Sequence, residues 1–259
     1  MNENIKLEIK PYVEIKIPKL IFIVPYRDRE QQKHFFNRQM DYVLEDIGKD
    51  NYEIYFAHQC DNRDFNRGAM KNIGFIAIKE KYADNYKDIT FVFNDVDTMP
   101  YTKNFLTYET KEGNIKHFYG FTYTLGGIVS IKGSDFEKVN GFPNFWAWGY
   151  EDNLFQERVL KNGLKIDRDQ FYPIMDKNIL QNKDGLERIV NRKEYDRFKN
   201  NTTDGLCTIQ NIVYEIDNRY INITNFKTLV ENDKKTNSEH DLRDKNSKFV
   251  YNRRMNMVF

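Results

Sequence analysis

Phe91 to Pro100 reads FVFNDVDTMP, and the fold of the chain turns on that decapeptide. Its first residues are a continuous apolar run, the pattern of a strand buried on both faces, as central strands of parallel sheets are. Two aspartates, Asp95 and Asp97, then close the run. Open α/β sheets bind ligands in the crevice outside the carboxyl ends of their strands. Side chains two apart on extended backbone point the same way, so this pair is placed to grip one cation or one polyol. A surface turn is the competing reading, because Asn-Asp and Thr-Met-Pro both suit turns. The rest of the chain has to decide.

Working outward, LIFIVP at 20 to 25 is a second unbroken apolar run, followed by the polar YRDRE. From Glu30 to Ile47 the residues Phe35, Phe36, Met40, Val43, Leu44 and Ile47 recur at helical spacing. YEIYFAH at 52 to 58 reads as the next strand, and Asn66 to Tyr82, with Ala69, Ile73, Ile76, Ala77 and Ile78, as the next helix. ITFVFND follows as a third strand. Strand and helix alternate twice, which predicts a βαβαβ unit and a parallel sheet of the nucleotide-binding kind. Ahead of it, Ile5, Leu7, Ile9, Val13, Ile15 and Ile17 alternate with polar residues, predicting half-buried edge strands within residues 1–19. After Pro100 the order loosens into loops, a strand in LGGIVSI, a short helix from Ser134 to Val139 and another starting near Glu151. A single domain over 1–230 is expected. The segment 231–259 is polar, with Glu231 to Lys248 read as a solvated loop or tail.

The 259 residues allow a substantial core. Forty Lys and Arg against 39 Asp and Glu leave a net charge of +1, so no global field draws the chain to nucleic acid or an anionic membrane. Cys60 and Cys207 lack any C-x-x-C spacing, which argues against a structural zinc site or a disulfide framework. No apolar run approaches a membrane span and the N-terminus has no signal-peptide core. The expectation is a soluble, cytoplasmic protein of viral or microbial type. Aromatics at 15% are rich for a chain that is 31% charged; most of them pack a core, and partly exposed rings can serve as sugar platforms.

The other informative stretch is GFPNFWAWGYEDNLFQERVLKNG, Gly141 to Gly163. It holds both tryptophans of the chain, then a glycine, then Glu151 and Asp152 at the first turn of a predicted helix, where the macrodipole favours negative charge. A buried aromatic staple at a helix start is one reading. A loop that holds a sugar face and accepts a proton is the other, and a positioned base of that kind is worth roughly 10²- to 10⁴-fold in rate.

The blocks IFIVPYRDRE, FNRGAMKNIGF, FVFNDVDTMP, GGIVSIKGSDFEKVNGFPNFWAWGYEDN and TTDGL together resemble the β-1,4-galactosyltransferase family, glycosyltransferase family seven. They come in the family's order and cover residues 20 to 217. The resemblance implies a GT-A fold, a Rossmann-like, mostly parallel mixed sheet flanked by helices. It also implies a UDP-sugar donor, a carbohydrate acceptor, inversion at the anomeric carbon and a manganese ion (Mn2+, with Mg2+ the alternative). Pro25, Tyr26, Arg27 and Arg29 match the family's uridine-side motif, with Phe65 and Arg67 from its F-N-R block; Asp28 replaces the usual asparagine. Asp95 and Asp97 match its D-V-D, the second as metal ligand and the first as donor contact, and Gly127 falls in its G-G block. Trp148, Glu151 and Asp152 match W-G-G-E-D, with Tyr150 in place of the second glycine. Asp152 falls on the catalytic base, Glu151 on the residue that orients the acceptor, and Trp148 on the sugar-site tryptophan that moves with a closing loop.

Three departures stand out. The family's M-x-x-H metal motif is matched only by Met175 to Asn178, so Asn178 or Asp176 would have to supply oxygen where a histidine is missing. Thr124 occupies a position usually aromatic, which leaves room for an N-acetyl group and makes UDP-GalNAc as acceptable as UDP-galactose. In KEYDRF, Tyr195 and Phe198 keep the apolar character of the acceptor pocket, while Glu194 replaces an arginine. A metal nuclease or phosphatase would need more acids or paired histidines than His34, His58, His117 and His240 provide. A degenerate sugar-binding protein of the same fold is the remaining alternative.

Overall fold

The computed structural model describes residues 16–200 and 203–242. The edge strands expected within residues 5–17 therefore lie outside the described residues, except for Lys16 and Ile17, which carry no strand. From Lys19 on, the predicted alternation is present. β1 (Leu20–Tyr26), α1 (Glu30–Val43), β2 (Tyr52–Gln59), α2 (Arg67–Lys81) and β3 (Thr90–Asn94) follow in order. β1 lies between β2 and β3 and is parallel to both.

Every residue of β1 is buried, because alternate side chains feed two different cores. Ile21 and Ile23 join Phe91 and Phe93 on the face covered by α2. Leu20, Phe22 and Val24 join Val92 on the face covered by α1. Fully burying an aliphatic or Phe side chain is worth about 1.5–3 kcal/mol, so a continuous apolar run is what a two-faced central strand requires. α2 starts at the buried Asn66, whose side-chain oxygen accepts from the Ala69 amide at 2.8 Å, a standard N-cap.

The remaining elements are β4 (Thr98–Pro100), β5 (Asn114–Gly120), β6 (Ile128–Lys132), α3 (Gly133–Lys138), α4 (Glu151–Lys161), β7 (Lys165–Asp167), β8 (Tyr172–Pro173), β9 (Ile179–Gln181), β10 (Glu187–Val190), α5 (Arg192–Phe198), β11 (Gln210–Asp217), β12 (Tyr220–Lys227) and β13 (Ser238–Asp241). The main sheet runs β11-β12-β2-β1-β3-β6-β5-β7, with β8 also on β5. It is mixed and mostly parallel: β6 runs antiparallel to β3 and β5, and β11 antiparallel to β12.

Four expectations change. α1 stops at Val43 and its last stretch, Glu45–Ile47, tightens to a 3₁₀ turn closed by Gly48 at φ +79°. β3 stops at Asn94, so Asp95 to Asp97 is a turn, pinned where the Asp95 amide donates to Gly127 at 3.0 Å and the Thr98 amide to Asp95 at 3.1 Å. The region after Pro100, expected as loops, contains β5, which carries the far half of the sheet. The stretch 231–242, expected as a solvated tail, supplies β13, paired antiparallel with β10 from Glu187↔Asp241 to Val190↔Ser238. Its side chains are polar because the ribbon is half exposed, and its order comes from backbone pairing that composition does not report.

Candidate active site

The carboxyl ends of β1 and β3, the start of α2 and the loop before α4 converge on a cavity of about 800 Å³. Pro25, Arg27 and Arg29 enter from β1, Phe65 and Arg67 from the start of α2, and Asp95 and Asp97 from the turn after β3. Thr124, Gly126 and Gly127 precede β6, and Trp148, Glu151 and Asp152 lead into α4. Arg27 lies over the Phe65 ring, 5.5 Å from its centroid, and Arg29 ion-pairs with Asp184.

Arg67 ties the two acidic motifs together. Its guanidinium binds Asp95 and Glu151 and lies 2.9 Å from Asp152 Oδ2. Lys71, one turn further along α2, reaches Asp152 Oδ1 at 2.9 Å. The acids that the sequence separates by more than fifty positions are thus held by one helix. Gly126 permits this arrangement, because a Cβ there would stand 2.3 Å from Asp152 Oδ2. Gly127 adopts φ +71°, with its Cα facing the Tyr119 carbonyl so closely that a Cβ would sit 2.4 Å from that oxygen.

Burial and the cations push these carboxyls in opposite directions. Burial and the neighbouring Asp152 raise the Glu151 pKa. Burial also pulls Asp152 upward, but Arg67 and Lys71 outweigh it and hold Asp152 below the ordinary carboxylate value. Paired acids whose environments separate them in this way are suited to different roles. Among the described residues the buried Glu151 Oε2 has no hydrogen-bond partner. Across the cavity, burial and then Asp95 raise the Asp97 pKa, although the Thr98 hydroxyl donates to it at 2.9 Å.

The two tryptophans separate in function. Trp146 is core: its indole N–H donates to the Val230 carbonyl at 2.7 Å and its ring stacks on Phe226 at 5.5 Å. Trp148 is 37% exposed and lines the cavity. Its amide donates to the Ile189 carbonyl at 2.8 Å, and Arg188 lies 5.8 Å from its ring. Tyr150, where the family pattern has glycine, takes a left-handed φ of +67° and stacks on Tyr195 at 4.8 Å. A non-glycine residue in that region is uncommon; here the stack helps to hold it. Glu194 is buried beneath the loop, accepting from the Trp146 amide at 3.3 Å, and burial lifts its pKa to about 7.

Of the expected site residues, Tyr26 and Phe198 belong to the two cores instead of the cavity wall, and Tyr195 reaches the site only through Tyr150. Met175 is 71% exposed, and Asn178 turns its amide to Asp176 at 3.0 Å. Asn178 lies opposite Tyr101, whose amide donates to its carbonyl at 3.1 Å, and neither Met175 nor Asn178 lines the cavity. The Met175 amide donates to the hydroxyl of cavity-lining Tyr119 at 3.1 Å, and β9 pairs with β4. Among the described residues no three His, Cys, Asp or Glu side chains converge as metal ligands. Of the three expected metal ligands Asp97 alone lines the cavity, and burial and Asp95 disfavour its anion, a charge that a divalent cation would offset. Sequence reasoning missed Lys71, visible only as a lone charge in the apolar stretch of α2, and the wall of Arg188, Lys234 and Glu239, which strand pairing creates.

Carboxylates and guanidinium groups around a crevice at the strand ends of a mixed α/β sheet define a ligand-binding enzyme-type domain. The profile described as the N-terminal region of glycosyl transferase group 7 matches residues 8–110, and that described as the N-terminal domain of galactosyltransferase matches residues 112–179. The chain belongs to glycosyltransferase family 7 and has the GT-A fold. It is 30% identical to human β-1,4-galactosyltransferase 4 over 80% of its length and 63% of that protein's. It is 27% identical to the Caenorhabditis elegans xylosylprotein 4-beta-galactosyltransferase over 78% of its length and 73% of the relative's. Against mouse and rat β-1,4-galactosyltransferase 4 it spans 45% of the relative's length. A Drosophila β-1,4-galactosyltransferase 7 mutant, solved with manganese, UDP-Gal and xylobiose, superposes with a TM-score of 0.62 at 22% identity, over 80% of this chain and 94% of that one. No helix among the described residues is long and apolar enough to cross a membrane.

Proposed function

We propose that this chain is an inverting, metal-assisted glycosyltransferase that moves galactose, or N-acetylgalactosamine, from a UDP-sugar to a hydroxyl of a carbohydrate acceptor. The observation that carries the reading is Asp152: an ionised carboxylate at the cavity wall, with both oxygens held by cations and Glu151 beside it. Pro25, Arg27, Phe65 and Arg67 bind the uridine side, while Asp95 and Arg29 approach the diphosphate and sugar. Asp97, with Met175 and Asn178, would hold Mn2+ or Mg2+, which would supply neutralisation of the diphosphate charge and so make UDP a better leaving group. Asp152 accepts the proton of the acceptor hydroxyl as its oxygen bonds to the anomeric carbon, and the bond from that carbon to the diphosphate breaks on the opposite face. Glu151 orients the acceptor and Trp148 covers the sugar. Thr124 leaves the space an N-acetyl group needs. The soluble fraction of the cell is where we place the activity.

The missing metal histidine favours a second reading, a UDP-sugar-binding protein without turnover. UDP release from UDP-galactose, UDP-GalNAc, UDP-GlcNAc and UDP-glucose, with and without Mn2+ and simple sugar acceptors, separates the two. Acceptor-stimulated release from one donor is expected, with a loss of about 10²- to 10⁴-fold in Asp152→Asn. No release from any donor, with UDP and Mn2+ still raising the melting temperature, would leave the binding protein standing.

A further inference from the structure

Lysine is almost never fully buried unless it is paired, and replacing a buried ion pair with apolar groups is often neutral or stabilising. Lys71 is such a residue: its side chain is 2% exposed, in the middle of the most buried helix of the fold. Its ammonium lies 2.9 Å from Asp152 Oδ1 and 4.1 Å from the centre of the Phe142 ring. It does not line the cavity, whereas Arg67 and Asp152 do. Lys71 therefore meets the reaction only through Asp152. Arg67 divides its charge among Asp95, Glu151 and Asp152, while among the described residues Lys71 forms an ion pair with Asp152 alone.

We propose that Lys71 is a positioning residue for transfer: from the closed side of the cavity it fixes the Asp152 carboxylate by Oδ1 and keeps it ionised, so that Oδ2, which the carboxylate shares with Arg67, is the oxygen that meets the acceptor hydroxyl. This rests on the reading of Asp152 as the base. The groups that face Asp152 are Arg67 and Lys71 from α2, Glu151 beside it on α4, and His117 from β5, with Asp95 beyond Arg67. His117 remains uncharged, because burial and Arg168 lower its pKa to about 4. Arg67 acts on Asp152 at least as strongly, but its removal would also release Asp95 and Glu151, so Lys71 is the cation whose removal tests Asp152 by itself. Because Arg67 lines the cavity on the donor's uridine side, a bound donor competes for that guanidinium, and the ammonium of Lys71 then carries more of the task.

The test is the pH profile of kcat/KM for wild type, Lys71→Met and Lys71→Arg, beside Asp152→Asn. Lys71→Met is expected to move the acidic limb upward by about one to three pH units, the range of a lost adjacent charge, with turnover recovering at higher pH. Lys71→Arg should keep the limb in place. If Lys71→Met does not fold, Lys71→Gln serves with the same expectation. A uniform loss at every pH, or an unchanged limb, overturns the proposal. Retained turnover in Asp152→Asn would overturn the reading of the base itself, whereas an inactive Asp152→Asn with an unmoved limb in the Lys71 variant would sink this inference alone.

Discussion

The wall of the cavity built from β1, β3 and α2 differs in kind from the wall built from the Trp148 loop, β10 and β13. In the first, side chains project from buried elements and are locked by charge: Arg67 on Asp95, Glu151 and Asp152, and Lys71 behind them. In the second, backbone meets backbone, with Trp148 on Ile189 and β10 on β13, and Trp148 and Ile189 stay well exposed. The difference separates two tasks. Chemistry needs groups held to a fraction of an ångström, and recognition of an acceptor tolerates a surface that can adjust.

The largest test of this division is Asp97→Ala. A divalent ion contributes several kcal/mol to a transition state of this kind, so metal-stimulated turnover should fall about 10³-fold while the fold persists. Unchanged UDP binding and turnover would remove Asp97 from the rigid wall. Next comes Gly126→Ala. The added methyl meets Asp152 Oδ2, which is tied and cannot swing aside freely. A misplacement on that scale costs about 10²-fold, so kcat at a temperature well below melting should drop by more than the accompanying loss of stability accounts for. An active Gly126→Ala enzyme would mean that the carboxylate is less fixed than its partners imply.

The smallest effect belongs to the adjustable wall. Glu194 has a folded-state pKa of about 7, above its ordinary 4.5. A raised acid contributes stability that is complete below the unfolded value and lost as pH rises through the folded one. The Trp146 to Trp148 loop should therefore loosen between about pH 4.5 and 7. Asp204 and Glu151 add to that trend, and the amides of Trp146 and Ala147 oppose it. Glu194→Gln is expected to flatten the decline, gaining a few degrees of melting temperature over wild type at pH 8 relative to pH 5. Parallel melting curves across that range would show that Glu194 does not gate the loop.

The same division explains what the sequence revealed. β1, β2, α2 and β3 were legible because their signals are local: unbroken apolar runs for strands buried on both faces, and helical spacing for α2. Asp95, Asp97, Glu151 and Asp152 were legible through the family pattern, which fixes residue types at short spacing. Lys71 was not, since its meaning depends on a partner eighty-one positions away. β5 was hidden by a mixed burial pattern, with Lys116 and His117 interrupting its apolar residues. β13 was hidden because a polar, half-exposed ribbon owes its order to a distant strand. Met175 and Asn178 fit their expected motif by spacing, yet an exposed thioether and an amide turned to Asp176 depend on loop geometry that spacing does not encode.

The cavity wall contributed by Lys234, Asn237, Ser238 and Glu239 also sets a clock. A ribosome adding roughly 5–20 residues per second completes the turn holding Asp97 on the order of ten seconds before it reaches Glu239. Glu151 and Asp152 are added within that interval, so for its later part the acidic floor is complete without its last wall and the nascent domain cannot enclose a substrate.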